Sequence, residues 1–271
     1  MELVCPICGE ILRRGAKQWV CPAGHSFDVA RQGYVNLLTV QQKHSLHPGD
    51  TREQVLSRRR FLESGAYAPI VAQMLELLKA HGARGPILDV GCGEGYYGTR
   101  VAEALDGALL GLDISKEAVR CAAGSYKQAD WICATAAHVP VRDHGAGLLM
   151  SMFALTLPEE FRRILSEDGL FLQVLAAQDH LMGLKHIIYP EILRKEKDSV
   201  PELPGFQLVE SRPLRFGFTA EGAQIQDLLS MTPHFWRISA QGAKRLQETE
   251  CLHDTASVVL NLYKPKEEQN D

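Results

Sequence analysis

No run of apolar residues in this chain approaches the ~18 that a bilayer-crossing helix needs, which excludes an integral helical membrane protein. Neither sign of charge is in excess. The 29 Lys/Arg against 33 Asp/Glu leave a net charge of −4, too little and of the wrong sign for indiscriminate polyanion binding. Internal repeats and low-complexity tracts are lacking too, so arrays and disordered chains are excluded. The first residues, Met-Glu-Leu-Val-Cys, carry an acid and no apolar stretch of the kind a secretory leader needs, so a cytoplasmic location is expected. An odd count of seven cysteines in a reducing compartment argues against a disulfide framework. What remains is an ordinary globular composition, 45% hydrophobic and 23% charged, over 271 residues: one domain with a small appendage, or two modest domains.

The charge is unevenly spread. Residues 1–70 hold nine Lys/Arg and six Asp/Glu, a balance of +3, and the remainder a balance of −7. A surface for phosphate is therefore expected near the N-terminal third, with Arg13, Arg14, Lys17, Lys43, Arg58, Arg59 and Arg60 as its contacts. Cysteine placement is uneven as well. Cys5-x2-Cys8-x12-Cys21-x3-His25 offers three thiolates and an imidazole on two tight turns, the ligand chemistry and spacing of a tetrahedral Zn(II) site. Four protein ligands leave no open position, so the metal is structural. A unit spanning 1–36 needs such a staple because it cannot bury enough apolar surface alone.

Residues 37–70 read as a connector and helical linker. The stretch Gln41–Asp50 has turn chemistry, and helical spacing begins at 52–65 and 67–81, the latter with Ile70, Met74, Leu77 and Leu78 on one face. The domain from 71 to 271 then alternates short apolar strands with helices. Strands are predicted at Pro86–Val90, Ala108–Leu112, Asp130–Cys133, Gly147–Ser151, Leu170–Leu175, Phe206–Ser211 and Ser257–Leu262. Helices include Tyr97–Leu105, Lys116–Ser125 and Glu159–Leu165, with further helical segments after Gly183 and before the last two strands. The pattern predicts an α/β, doubly wound, mostly parallel seven-stranded sheet of Rossmann-like type, with a frayed charged tail from Lys264.

Within that pattern, Asp89-Val90-Gly91-Cys92-Gly93-Glu94-Gly95 ends a strand and opens a helix. Glycines in such a turn let the backbone approach a ligand closely. The spacing is GxGxG, not the GxGxxG of dinucleotide folds, and an acid follows the turn, which points to S-adenosylmethionine. Asp113 ends the second strand about 20 residues on, where a carboxylate can accept both ribose hydroxyls. After the third strand stands Cys133-Ala134-Thr135-Ala136 in place of an acid, leaving adenine to backbone, Thr135 or apolar packing.

Taken together, several blocks in one order resemble the 23S rRNA (guanine-N1)-methyltransferase family: the ribbon spacing, Phe27–Leu38, Arg59 to Pro69, Asp89–Tyr96, His180-Leu181, and Met231-Thr232-Pro233-x-Phe235-Trp236. The resemblance implies a class I, S-adenosylmethionine-dependent methyltransferase fold behind an N-terminal zinc ribbon. It implies methylation of N1 of one guanine in a 23S rRNA hairpin, action as a homodimer with the ribbons forming part of an RNA cleft, and no membrane partner. It carries cofactor contacts onto Tyr67, Gly95, Tyr96 and His180, beside Asp89, Gly91, Gly93 and Asp113 of the loop and second strand. No catalytic residue is assigned; Asp179, His180 and Phe153 lie nearest. The family's aromatic-Ala-Pro turn reads Phe153-Ala154-Leu155 here, a departure at the target-base position. Two alternatives stand beside this reading: a small-molecule methyltransferase, or a ribosome-binding module whose catalytic site has decayed.

Overall fold

The computed structural model describes residues 1–43, 45, 48–192 and 198–267. The first residues form a small three-stranded antiparallel sheet of β1 (Arg13–Arg14), β2 (Gln18–Val20) and β3 (Ser26–Asp28). β4 (Val35–Asn36) leaves that unit and pairs in parallel with a strand of the main sheet. Of the turn predicted for Gln41–Asp50, Val40–Gln42 form a short 3-10 helix, and His44, Leu46 and His47 lie outside the described residues.

Helix α1 (Arg52–Glu63) opens on a capping box. Thr51 Oγ1 accepts from Gln54 N at 3.4 Å, and Gln54 Oε1 accepts from Thr51 N at 3.1 Å, satisfying two donors that a helix start leaves without partners. α2 (Ala68–Ala80) buries the face formed by Ile70, Met74, Leu77 and Leu78, as its spacing predicts. The alternation follows: β5 (Ile87–Val90), α3 (Tyr96–Leu105), β6 (Leu109–Asp113), α4 (Lys116–Ser125), β7 (Asp130–Cys133), β8 (Ala146–Met152), α5 (Pro158–Ile164) and β9 (Leu165–Ala176). After these come α6 (Met182–Ile188), β10 (Phe206–Glu221), α7 (Ala223–Ser230), a 3-10 turn at Pro233–Trp236, α8 (Ala240–Gln247) and β11 (Cys251–Pro265).

The main sheet runs β10-β11-β9-β8-β5-β6-β7-β4, parallel except where β11 pairs antiparallel with β9 and with β10. It has eight strands, not seven, because the N-terminal segment adds β4 to its edge. A two-residue strand carries too short an alternation to be read from sequence. The chain turns outward from β5 in both directions, to β6 on one side and β8 on the other. That makes the carboxyl end of β5 the topological switch point, where open α/β sheets bind ligands.

Three further expectations are corrected. β10 and β11 are far longer than Phe206–Ser211 and Ser257–Leu262. Their paired segments Arg215–Glu221 and Cys251–Ser257 continue past Ala176, the last residue of β9 to pair with β11. This two-stranded extension stands above the carboxyl end of the sheet. Helices α7 and α8 fall between the two strands rather than before them. Lys264 and Pro265 belong to β11, paired with Gln207 and Phe206, so the tail is not frayed from Lys264; residues 268–271 lie outside the described residues.

Candidate active site and metal centre

Two zinc-knuckle turns bring the predicted ligands together. Gly9 and Gly24 both adopt positive φ, 76° and 85°, directly after or within the Cys5–Cys8 and Cys21–His25 loops. Gly9 N donates to Cys5 O, and Cys21 N donates to His25 O. Cys8 Sγ lies 3.6 Å from Cys21 Sγ, and His25 Nδ1 lies 3.4 Å from Cys21 Sγ and 3.6 Å from Cys5 Sγ. The four donor atoms all fall within 4.8 Å of one another, the size of one tetrahedral Zn(II) shell. Burial pushes the Cys21 thiol up, but backbone donors at His25 and Ala23 and the side chains of Cys8 and His25 outweigh it and bring it down to about 7, toward the thiolate a metal requires. Leu3 and Leu12 pack with Cys5 and Cys21 into the apolar cluster that also holds Leu37, Val139 and Val141, so the ribbon is docked on the sheet domain.

At the switch point the loop leaving β5 has Gly91, Gly93 and Gly95 all at positive φ. A Cβ on Gly95 would stand 2.5 Å from the Trp131 ring, and one on Gly91 2.6 Å from Ala154 Cβ, so these positions admit glycine only. Asp113 closes β6 with its carboxylate turned to the loop, Oδ2 accepting from Gly93 N at 2.9 Å and Oδ1 from Ser115 N at 2.8 Å. Asp89 and Glu94 are buried beside it. Asp89 Oδ1 and Glu94 Oε2 have no hydrogen-bond partner among the described residues. Burial, then the charges of Asp113 and Glu94, raise Asp89 to about 7; burial raises Glu94 to about 7 against the pull of Arg58. Burial raises Asp113 too, against the donors of Ser115 and Gly93. Asp89 and Glu94, crowded against Asp113 and each with one unmet acceptor among the described residues, leave the cleft short of hydrogen-bond donors, which the ammonium and ribose hydroxyls of S-adenosylmethionine would bring.

These acids give a pH dependence whose sign is fixed. A carboxyl raised from its ordinary range near 4 to about 7 holds its proton more tightly folded than unfolded, so stability is greatest at low pH and is lost as pH rises toward 7. We expect the melting temperature of the cofactor-free protein to fall by roughly 5 °C between pH 5.5 and 8, and Asp89→Asn to flatten that slope. Differential scanning fluorimetry across this range checks it; an unchanged slope in the variant contradicts it.

A second wall is aromatic. Tyr67, fully buried at the start of α2, packs edge-on against Phe61, Phe216 and Phe218. Its hydroxyl lies 3.4 Å from His180 Nε2, across 113 residues of sequence. His180 Nδ1 accepts from Ser257 N at 3.1 Å, which places the ring proton on Nε2. Phe153, at the end of β8, holds φ of 54°, a strained value for a non-glycine residue. Its ring is 41% exposed, with its centroid 6.2 Å from that of His180 and 6.5 Å from that of Tyr97. Leu155, in the place of the family proline, is exposed. Asp179 pairs with Arg215 at 3.5 Å; its hydrogen bond with the Ser257 side chain and the charge of Arg215 hold its carboxyl below the usual range. Tyr96 opens α3 with Arg100 over its ring. Buried Tyr97 has a hydroxyl with no hydrogen-bond partner among the described residues and stands between the aromatic wall and the acids, a position the sequence reading missed.

Four of the arginines expected to meet phosphate hold carboxylate partners within the chain, three of them with solvent-exposed side chains of their own. Arg14 pairs with Asp130, Arg59 with Glu63, Arg60 with buried Asp227, and Arg58 with Asp50. For adenine, Thr135 Oγ1 accepts from Ala137 N, and the Cys133 thiol donates to Ile114 O.

Among the described residues no helix is long and apolar enough to cross a membrane. Residues 3–46 match the family model described as RlmA, N-terminal, and residues 87–169 a model described as Methyltransferase domain. The chain is 35% identical over 273 residues to a 23S rRNA (guanine(748)-N(1))-methyltransferase of Streptomyces fradiae, covering 97% of this chain and 96% of that one. Relatives from Micromonospora griseorubida (36% over 204 residues, 68% of each chain) and Bacillus subtilis strain 168 (29% over 268 residues, 94% of each) carry provisional names as 23S rRNA guanine-N1 methyltransferases.

Proposed function

The chain belongs to the 23S rRNA (guanine-N1)-methyltransferase family, and from that premise we propose that it moves a methyl group from S-adenosylmethionine to N1 of one guanine in a hairpin of 23S rRNA. The observation that carries the reading is the switch-point cleft, where the Gly91–Gly95 turn and the Asp113 carboxylate face a set of buried acids with unmet acceptors. Asp113 holds the ribose, the glycine turn brings the loop's backbone close to the donor, and Tyr67, Tyr96 and His180 wall the site. Cys5, Cys8, Cys21 and His25 hold one structural Zn(II).

The cofactor supplies a methyl on a positively charged sulfur, which leaves as a neutral thioether when the C–S bond breaks and the C–N1 bond forms. The protein's tasks are to expose the base, align it and accept the N1 proton. Phe153 offers the extruded guanine an exposed ring beside the cleft, flanked by Tyr97 and His180. With Ser257 N on its Nδ1 and the Tyr67 hydroxyl beside its Nε2, His180 cannot present an unoccupied acceptor to N1. Asp179 can: it is half-exposed, ionised and held by Arg215 and Ser257. We place the enzyme in the cytoplasm, with its substrate, as a homodimer whose ribbons flank the RNA; light scattering at twice the chain mass supports the dimer, and the chain mass alone refutes it.

The test is transfer of labelled methyl to unmodified 23S rRNA. Label in RNA is expected, and label confined to small metabolites would overturn the reading. In the same assay Phe153→Ala should lose about 1–3 kcal/mol of base stacking, roughly 5- to 150-fold in kcat/KM, with cofactor affinity unchanged. Equal loss of cofactor binding would show that the ring serves the cleft rather than the base.

A further inference from the structure

Arg58 stands apart from its neighbours. It is the middle of a helix surface whose other arginines turn outward, yet its guanidinium is turned in against the glycine loop: a Cβ on Gly93 would lie 3.5 Å from Arg58 Nη1. Its side chain is 24% exposed and pairs with Asp50 at 2.5 Å. The charges of Glu94 and Asp113 bear on it as well as that of Asp50. Asp50 lies in the connector just before α1, which is held against Ser115 at the start of α4. Its carbonyl accepts from Ser115 Oγ at 2.6 Å, and Gly49 lies so close to Ser115 that a Cβ would come within 2.8 Å.

The cleft therefore contains an inverse of a zwitterion. On one side are the acids Asp89 and Glu94, each with an unmet buried acceptor; on the other is a single guanidinium whose partner is a half-exposed surface carboxylate. An α-amino acid group has both complements in one piece. The ammonium would answer the buried acids, and the carboxylate would take the place on Arg58 Nη1 that Asp50 Oδ2 holds. We propose that Arg58 binds the methionine carboxylate of S-adenosylmethionine, with Asp50 as its internal stand-in. The inference rests on the cofactor reading above and adds to it the residue that selects the amino-acid end of the ligand.

Isothermal titration calorimetry with two ligands separates the possibilities. S-adenosylhomocysteine carries the carboxylate; its decarboxylated analogue keeps adenosine, sulfur and ammonium. Wild-type protein should bind the first about 10- to 100-fold more tightly than the second. Arg58→Gln should erase that gap, losing affinity for S-adenosylhomocysteine while binding the decarboxylated analogue as wild type does. A variant that weakens both ligands equally, or neither, overturns the proposal, because a merely structural arginine does not discriminate between them. Asp50→Asn leaves the guanidinium in place and removes its internal competitor, so it should bind S-adenosylhomocysteine at least as tightly as wild type. A tenfold loss there would mean that Arg58 serves Asp50 and not a ligand. Failure of the wild-type protein to bind S-adenosylhomocysteine at all is a different result: it brings down the cofactor reading itself.

Discussion

Cys8→Ser is expected to release the zinc, unfold the ribbon and abolish rRNA methylation, while S-adenosylmethionine binding survives. The choice among the ligands matters. Cys5 and Cys21 are buried in the apolar cluster with Leu3 and Leu12, so replacing either also opens a cavity. Cys8 is exposed, and its loss removes a ligand and little else. The three strands of the ribbon have two or three residues each, far too little surface to fold unaided, so the metal's binding free energy, ~10–16 kcal/mol for comparable sites, is the ribbon's folding free energy. The sheet domain keeps its own core and its own glycine cleft. Elemental analysis together with cofactor titration checks this. Full zinc stoichiometry in the variant contradicts the ligand set, and loss of cofactor binding contradicts the separation of ribbon from cleft.

Asp113→Ala is expected to weaken S-adenosylmethionine binding by about 1.5–3 kcal/mol, roughly 10- to 150-fold, through loss of charge-assisted hydrogen bonds to the ribose. The substitution has a second cost. Asp113 accepts from Gly93 N and Ser115 N, so Ala also frees the glycine turn and the start of α4. Asp113→Asn is the milder change. It keeps one acceptor oxygen and removes the charge, but its NH2 must face either Gly93 N or Ser115 N donor to donor, so it should recover only part of the stability and part of the affinity. Calorimetry beside thermal unfolding reads both quantities. An unchanged dissociation constant for either variant would show that the ribose lies elsewhere.

The legible parts of this molecule were those decided locally. The knuckles at Cys5 and Cys21, the Asp89–Gly95 turn and the register of Asp113 depend on neighbours within a loop or one βαβ unit, and all are found where their spacing puts them. Arg58, Arg59 and Arg60 show what sequence hides. In the chain they are one run of positive charge. On a helix, successive side chains diverge by about 100°, so the three meet Asp50, Glu63 and Asp227 respectively. β10 shows another limit. Its second half, Arg215 to Glu221, has Gly217 in its middle and lies mostly on the surface; it is a strand because Cys251–Ser257 pairs with it across more than 30 residues. The contact between Tyr67 and His180, and the return of Val35–Asn36 to the sheet edge, arise from topology in the same way.

The cleft at the switch point is proposed to deliver a methyl to guanine N1. Methylation there blocks base pairing, so reverse transcription of 23S rRNA incubated with the purified protein and S-adenosylmethionine tests it directly. The prediction is one strong stop, at a single guanine of one hairpin, absent without the cofactor and absent with Asp113→Ala at limiting cofactor. Read-through along the whole RNA, or a stop that forms without S-adenosylmethionine, would contradict it.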